Sequence, residues 1–305
     1  MHVAVCIVSY NSAEDVEQCI AGLARSTYAD FEVVICENAG ERAAARLRSV
    51  VPDVLAGGQS VKIVVDEDNA GFAAGVNRCM AESAGADAWW VLNPDCLPGA
   101  GALRAMVSHQ QATGALAVGG VIHHPDGWVQ ALGGGKWRSW LGRVEPAGYG
   151  QSLNAEAPQP GIAELDYLSG ASFLVTAAFA QKVGKLREDY FLYGEEVEYF
   201  LRAKAQGIGL TFAQDANVAH IQGTSTGSAV PLRERKKLPI YLDQRNRVLV
   251  TRDTAPNRLF GVVVALFLQY PIIYGRRRAF RQWAYAVQGL WAGLHNERGK
   301  PRWLA

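Results

Sequence analysis

The sequence predicts an α/β protein: a mostly parallel central sheet flanked by helices, followed by a helical C-terminal extension. Three observations carry this. Short apolar runs rich in β-branched residues alternate with stretches of helical spacing through the first hundred residues. Each run closes on polar turn-forming residues, as strands feeding helices do. Beyond about residue 229 strand signals give way to long apolar and basic helical stretches. Alternating strands and helices require right-handed crossovers, and therefore a mainly parallel sheet.

The first strand is read at Val3 to Tyr10, apolar enough to be buried on both faces. Asn11 and Ser12 supply turn and N-cap chemistry, and Glu14, Asp15 and Glu17 sit in the first turn of a helix through about Leu23. Phe31 to Cys36 is the second strand, closing in Glu37-Asn38-Ala39-Gly40, and Arg42 to Val50 resumes helical spacing. Val61 to Val65 is the third strand. After it, Asp68 to Asn77 combines a polar turn with Gly71 and Gly75, a spacing that lets backbone approach closely and offers helix N-terminal amides to a phosphate. Ordinary loop-to-helix packing explains the same residues, and the pattern is not the GxGxxG of dinucleotide sites. The fourth strand, Ala88 to Leu92, runs into Asn93-Pro94-Asp95. Proline cannot continue a central strand, so Asp95 is placed at the carboxyl edge of the sheet, where ligands of open α/β sheets sit. Asp95 is either a turn residue or a ligand for a metal carrying phosphates.

Composition excludes some classes of partner. The 305 residues include 30 basic and 29 acidic side chains, a net charge of +1, which argues against nucleic acid or an acidic polymer as a global partner. Five cysteines, all in the first third and without CxxC spacing, read as small buried residues of a reducing compartment, with zinc a remote alternative. Met1-His2-Val3 enters the first strand without signal-peptide regions, so a cytoplasmic location is expected.

From Val107 to Val121 a helix end merges into another apolar strand, and His123-His124-Pro125-Asp126-Gly127 is a tight turn whose histidines are either solvated hairpin residues or metal ligands. Trp128 to Trp140 carries three tryptophans and Gly133-Gly134-Gly135, and a Gly, Pro and Gln rich segment follows to Gly161, suggesting a long excursion over the functional edge. Trp137 and its neighbours either offer aromatic faces to a ligand or pack in the core. Leu165 to Val175 brings a small-residue crossing at Gly170-Ala171. Phe191 to Arg202 opens a helix with Glu195, Glu196 and Glu198, either a solvated acidic N-terminus or carboxylates held beside apolar bulk, where a general base gains a useful pKa. Glu198 and Arg202 are spaced to pair on the helix surface. Leu210 to Phe212 is a short strand, and Val218-Ala219 leads into His220. Finally, Leu259 to Tyr274 is apolar but holds Gln269 and Pro271, and Arg276, Arg277, Arg278 and Arg281 follow with interleaved tryptophans. An interfacial or buried helix is favoured over a membrane span, serving the inner leaflet of a membrane, a helical pair packed on the core, or a homodimer.

Taken together, Val8-Ser9-Tyr10-Asn11, Glu37-Asn38, Asn69 to Asn77 and Asn93-Pro94-Asp95 resemble the successive motifs of family 2 glycosyltransferases, in particular the bacterial rhamnosyltransferase-like branch in which NPD replaces DxD. The resemblance implies a GT-A fold, a nucleoside-diphosphate sugar donor linked to dTDP or UDP, a divalent cation, Mg²⁺ or Mn²⁺, and an inverting reaction. It implies a catalytic domain over 1–228, with nucleotide binding in 1–97 and the acceptor and catalytic part in 98–228, and a helical extension over 229–305. Ser9, Tyr10, Asn11, Glu37, Asn38, Asn69, Gly71, Phe72, Gly75, Asn77 and Asn93 would then line the nucleotide site, and Gly170 and Ala171 would leave room for the donor sugar beside Trp137. Glu196 would be the base, Glu195 would orient the acceptor, and His220 would join Asp95 on the metal, the nitrogen favouring Mn²⁺. Glu37 and Glu196 stand where the family usually carries Asp. Tyr241 to Arg247 resembles the family's Arg-Asn element, and the implied acceptor is a cell-surface glycan or a lipid-linked sugar. Two rivals remain: a nucleotide-sugar-binding module without turnover, and a sugar nucleotidyltransferase, for which the first loop lacks the basic, glycine-rich sequence.

Overall fold

Apolar residues alternate between two cores along each of the first strands, and that alternation builds the sheet. In β1 (Val3–Ser9) the side chains of Val3, Val5 and Ile7 join one core, while Ala4, Cys6 and Val8 join the other. β2 (Phe31–Glu37), β3 (Val61–Val65) and β4 (Ala88–Leu92) follow suit, each parallel to its neighbour in the order β3-β2-β1-β4. Helices α1 (Ala13–Leu23) and α2 (Glu41–Val50) cover the first core, and α3 (Phe72–Glu82) covers the second. The computed structural model describes residues 1–153, 165–221 and 230–304. The expected excursion toward Gly161 falls largely on 154–164, and the expected domain boundary at 228 falls on 222–229. Both lie outside the described residues.

The sheet continues through β5 (Cys96–Pro98), α4 (Ala102–Thr113), β6 (Ala117–His123), β7 (Val129–Leu132), β11 (Ser172–Thr176) and β12 (Thr211–His220), reaching nine strands in the order β3-β2-β1-β4-β11-β6-β12-β5, with β7 on β6. β11, β5 and β7 run antiparallel to their partners, and the other six strands share one direction, so the sheet is mostly parallel. A second sheet of three strands, β10-β8-β9, is made by β8 (Gly134–Arg138), β9 (Arg143–Pro146) and β10 (Tyr167–Leu168). Its glycines are needed for close approach: a Cβ on Gly134 would lie 1.9 Å from the Tyr167 carbonyl, and one on Gly135 would lie 2.2 Å from that of Glu145. The segments read separately as Leu210 to Phe212 and Val218 to His220 are the two ends of one strand, β12, whose register on β6 shifts between Phe212 and Asn217. A bulge interrupts the alternation there, which hides the continuity from a reading of period alone.

Helices α5 (Ala177–Val183) and α6 (Glu195–Ala205) pack on the β11 side, and the extension follows as α7 (Lys237–Thr254), α8 (Leu259–Tyr270), a π-helical turn at Pro271–Gly275, and α9 (Phe280–Leu294). α7 is the hinge of the architecture. Leu249 and Val250 belong to the core between the sheet and α6, whereas Ile240 and Val248 belong to a separate cluster with Val262, Leu266, Tyr270 and Tyr274. Glu198, expected on the helix surface, is 3% exposed. It does pair with Arg202 at 2.8 Å, but the pair is buried against the α5–α6 connection, where Arg202 also donates to the Val183 and Lys185 carbonyls.

Candidate active site

The carboxyl ends of β1 and β2 form a cradle that is hydrogen-bonded within itself. Ser9 Oγ donates to Glu37 Oε2 at 2.5 Å, and Glu37 Oε1 accepts from the backbone N–H of Asn11 at 3.2 Å and of Ala39 at 2.9 Å. Glu37 is 1% exposed, so its carboxylate shapes the loop from below, while Tyr10 and Asn11 stand exposed at the rim. Asn38 donates to the Gly71 carbonyl at 2.9 Å and so ties the second loop to the third. Asn11 and Asn69 both take left-handed backbone, φ 53° and 50°, a conformation asparagine tolerates better than most residues.

The Asn69 to Asn77 stretch works mainly as a fastener. Gly71 has φ 96°, and a Cβ there would fall 2.2 Å from the Phe191 carbonyl oxygen, to which Phe72 N–H donates at 2.8 Å. Gly75 and Asn77, expected to line the nucleotide site, are corrected on geometry. Gly75 lets α3 close on β1, since its Cβ would meet Val8 Cγ1 at 2.7 Å. Asn77 is buried with its amide engaged by Leu186 N–H at 3.1 Å, the Leu186 carbonyl at 2.9 Å and Glu188 Oε1 at 2.9 Å. These residues tie the donor side to the segment that carries the carboxylates.

Asp95 and His220 meet at the next edge. β5 and β12 pair antiparallel with His220 opposite Cys96, and His220 Nε2 lies 3.2 Å from Asp95 Oδ1. Gln130, which the sequence did not single out, sets the ring. Its Nε2 donates to the His220 carbonyl at 2.7 Å, so its Oε1 is the acceptor for His220 Nδ1–H at 2.9 Å. That bond leaves Nε2 of a neutral imidazole presenting its lone pair toward a carboxylate oxygen. Two acceptors facing one another are what a divalent cation reconciles, and a ring aligned by its other nitrogen is how histidine ligands are held. The residues therefore fit a metal of the Mg²⁺ or Mn²⁺ type. Cys96 Sγ lies within 4.8 Å of the Asp95 and His220 donor atoms. Burial, reinforced by the Asp95 charge, pushes the Cys96 thiol well up, and it points to the Ala171 carbonyl at 3.4 Å. It stays a small buried thiol, as do the other four cysteines. His124, in the hairpin turn, reaches this corner through Gln130, 3.0 Å from its Nδ1.

Gly170 and Ala171 join the metal corner to the carboxylates. The Ala171 carbonyl accepts from Asn93 N–H at 3.0 Å, and a Cβ on Gly170 would touch Glu196 Cγ at 3.4 Å. Glu196 opens onto a cleft of about 350 Å³ between the catalytic core and the extension, lined also by Trp137, Tyr193, Arg235, Arg247 and Tyr274. Asp95 and His220 are not among its lining residues. Burial raises the pKa of Glu196, opposed by the backbone N–H groups of Glu196, Gly194 and Val197. Glu195 differs. It is 3% exposed, Oε2 has no hydrogen-bond partner among the described residues, and burial followed by the Glu196 charge puts its pKa well above the usual range. Both adjacent carboxyls are thus raised by burial, Glu195 the further because the Glu196 charge adds to its desolvation. Trp137 Nε1–H is likewise buried without a partner among the described residues.

The loop before Glu195 is held against its own preference. Phe191 and Tyr193 are left-handed at φ 69° and 73°, which costs each about 1–2 kcal/mol. Asn246 Nδ2 compensates by donating to the Tyr190, Leu192 and Tyr193 carbonyls at 3.1, 2.8 and 2.6 Å, and Arg245 adds a bond to Tyr190 O at 2.7 Å. The Arg-Asn element of α7 is therefore the clamp on the Glu196 loop. Beside it, Asp253 binds Tyr190 Oη, Arg187 and Arg298 at 2.7 Å each. A single sequence does not mark Gln130, whose partner lies 90 residues away, and it offers the Arg-Asn element only by resemblance, without its role as a clamp, because its partners lie 53 to 56 residues away.

Residues 4–152 match the family model for glycosyl transferase family 2. The N-acetylglucosaminyl-diphospho-decaprenol L-rhamnosyltransferase of Mycobacterium tuberculosis (strain ATCC 25618 / H37Rv) is 28% identical over 247 residues, 73% of this chain and 77% of that protein. The low-salt glycan biosynthesis hexosyltransferase Agl10 of Haloferax volcanii is 23% identical over 144 residues, so the match spans 45% of this chain and 45% of that relative. Among solved structures, mannosyltransferase PcManGT from Pyrobaculum calidifontis in complex with GDP-Man and Mn²⁺ aligns at a TM-score of 0.57 and 14% identity, covering 97% of this chain and 88% of that one. S. aureus TarS 1-349 in complex with UDP-GlcNAc aligns at 0.53 and 12% identity, covering 97% and 93%. At such identities the structural likenesses speak for the fold, and the sequence matches speak for the family. With the motif order, the sheet topology and these matches in agreement, the chain carries a glycosyl transferase family 2 domain over residues 4–152 and has the GT-A fold.

Proposed function

We propose that the protein transfers a hexosyl unit, of which rhamnose is the first candidate, from a dTDP- or UDP-linked sugar to a hydroxyl of a cell-surface glycan or lipid-linked acceptor, with inversion. The observation that carries this reading is Glu196, a carboxylate of raised pKa that opens onto the cleft and lies beside the Gly170-Ala171 crossing. Ser9, Tyr10, Asn11, Glu37, Asn38 and Asn69 form the cradle for the nucleotide. Asp95 and His220 would hold Mg²⁺ or Mn²⁺, with Gln130 orienting the imidazole. The chemistry such a cation supplies is neutralisation of the diphosphate leaving group.

In the reaction, Glu196 accepts the proton of the acceptor hydroxyl as that oxygen bonds to the anomeric carbon, and the bond from that carbon to the diphosphate oxygen breaks on the opposite face. Trp137 Nε1–H is available to the acceptor. Glu195, enclosed and raised in pKa by its burial, stands behind Glu196 and does not line the cleft. The M. tuberculosis relative, by its name, acts on a diphospho-decaprenol, which is why a lipid-linked acceptor is preferred here.

The test is a panel of nucleoside-diphosphate sugars incubated with the full chain and Mn²⁺, with and without chelator, reading release of nucleoside diphosphate and the anomeric configuration of the product. Release that needs metal and yields an inverted linkage is expected. Retention of configuration would overturn the mechanism. Tight donor binding without turnover under any acceptor would favour a binding module, and formation of nucleoside triphosphate and sugar 1-phosphate on addition of inorganic diphosphate would favour a nucleotidyltransferase.

A further inference from the structure

The extension presents an apolar face that the catalytic reading leaves unused. Along α8 and the π-helical turn, Phe260, Val264, Phe267, Leu268 and Ile272 recur at helical spacing on the side opposite Val262, Leu266, Tyr270 and Tyr274, which pack inward. On α9, Phe280, Val287, Trp291 and Leu294 form a second exposed stripe. Phe260, Phe267, Leu268, Ile272, Phe280 and Trp291 are each between 60% and 83% exposed. The stripes adjoin, because a groove of about 350 Å³ between the two helices is lined by apolar residues from both. A patch of this kind on a soluble surface marks something that covers it.

Charge identifies the occupant. Residues 256–294 contain Arg258, Arg276, Arg277, Arg278 and Arg281 and no acidic residue. Four of these arginines follow the α8 stripe directly, and Arg276, Arg277, Arg278 and Arg281 are exposed. A second copy meeting this face about a two-fold axis would confront like with like, arginine cluster included. An anionic lipid surface satisfies both the apolar stripe and the arginines. Length alone does not decide the mode: Pro256–Gly275 is 20 residues long and apolar enough to cross a membrane, with 22% of its most apolar window buried. Packing does, because the inner face of α8 is sealed onto α7 and α9, which a helix surrounded by lipid would not allow.

We propose that the α8–α9 face lies in the headgroup and acyl boundary of an anionic bilayer, with Phe267, Leu268, Ile272 and Trp291 in the acyl region and Arg276, Arg277, Arg278 and Arg281 on the headgroups. Tyr274, at the end of the same helix, lines the Glu196 cleft, so docking sets the cleft beside the lipid surface. The proposal concerns binding and holds whether or not the donor and acceptor are those named above.

Flotation of the full chain with vesicles of pure phosphatidylcholine, or of phosphatidylcholine with about one third phosphatidylglycerol, tests it. Binding to the anionic vesicles alone, weakened on the order of 100-fold by Arg276→Ala/Arg277→Ala/Arg278→Ala and by raised salt, is expected. Phe267→Ser/Leu268→Ser, at exposed positions with unchanged circular dichroism, should abolish flotation. Wild-type protein that fails to float, or a Phe267→Ser/Leu268→Ser protein that floats equally well, overturns the proposal. So does a concentration-dependent dimer in sedimentation that this double variant dissolves while no vesicle binding is seen. Because the readout contains no sugar, a failed transfer assay leaves it untouched, and the converse holds.

Discussion

The loops at the ends of β1 and β2 and the cleft beside Glu196 treat their polar groups in opposite ways. At the ends of β1 and β2, Ser9, Glu37 and Asn38 bond one another and nearby backbone, and Asn77 is engaged by the 186–188 segment. Around the cleft, Glu195 Oε2 and Trp137 Nε1 are buried without partners among the described residues, and Phe191 and Tyr193 hold left-handed backbone. An unmet buried polar group costs about 1–3 kcal/mol. The first region is thus rigid on its own account, whereas the second stores polar deficit and backbone strain where the chemistry is proposed. Such deficit persists only if neighbours enforce it, and here Arg245 and Asn246 of α7 do so.

This contrast can be broken at the base first. Glu196→Gln should lower kcat about 10³-fold while donor affinity in a thermal-shift assay is kept. In wild type, kcat/KM should rise with pH through a pKa above the ordinary glutamate value of about 4.3, since burial raises the folded pKa and the base acts when ionised. Near-normal turnover in Glu196→Gln would return the cleft to the status of a plain groove. The clamp comes next. Asn246→Ala strips three carbonyls of a donor and should destabilise by about 3 kcal/mol in denaturant unfolding, with kcat reduced as the Glu196 loop relaxes. If stability is unchanged, the strain is not held from α7.

Gln130→Ala sharpens the picture from the other side, because it frees the His220 ring without touching the cleft. Mn²⁺ affinity, followed by electron paramagnetic resonance, should fall about 10- to 100-fold. The smallest effect on activity is expected at Glu195→Gln, within about threefold of wild-type kcat/KM, since the carboxyl is enclosed away from the cleft and burial raises its pKa well above the usual range. Its stability effect has a definite sign. A carboxyl raised in the fold loses stability as pH climbs past its unfolded value of about 4.3, so the glutamine variant should be the more stable of the two at pH 7 and lose that advantage as pH falls to about 4. A Glu195→Gln protein as inactive as Glu196→Gln would restore to Glu195 a direct hold on the acceptor.

The first half of the fold was legible because period-2 apolar runs bounded by turn residues leave little choice: Val61–Val65 and Ala88–Leu92 begin and end where the pattern does. Pattern failed where geometry departs from period. The β12 bulge split one strand into two, and Glu198, polar in sequence, is buried because Arg202 and the α5–α6 connection enclose it. Of the site, the residues at strand ends were readable by position. Asn77 and Gly75 were misplaced because a small or amide residue looks the same whether it meets a ligand or another segment of the chain. Gln130 carried no local signal at all.

What the chain decided by itself is the sheet, its order of motifs, and the presence of Asp95, His220 and a pair of consecutive carboxyls, since side-chain alternation and turn chemistry are local properties. Only the tertiary structure could decide that Gln130 aligns His220 toward Asp95, that Glu195 is enclosed while Glu196 opens to the cleft, and that the apolar face of α8 and α9 points outward. Each of those depends on which distant segment lies within a few ångströms, where burial and single hydrogen bonds set charge state and ring orientation.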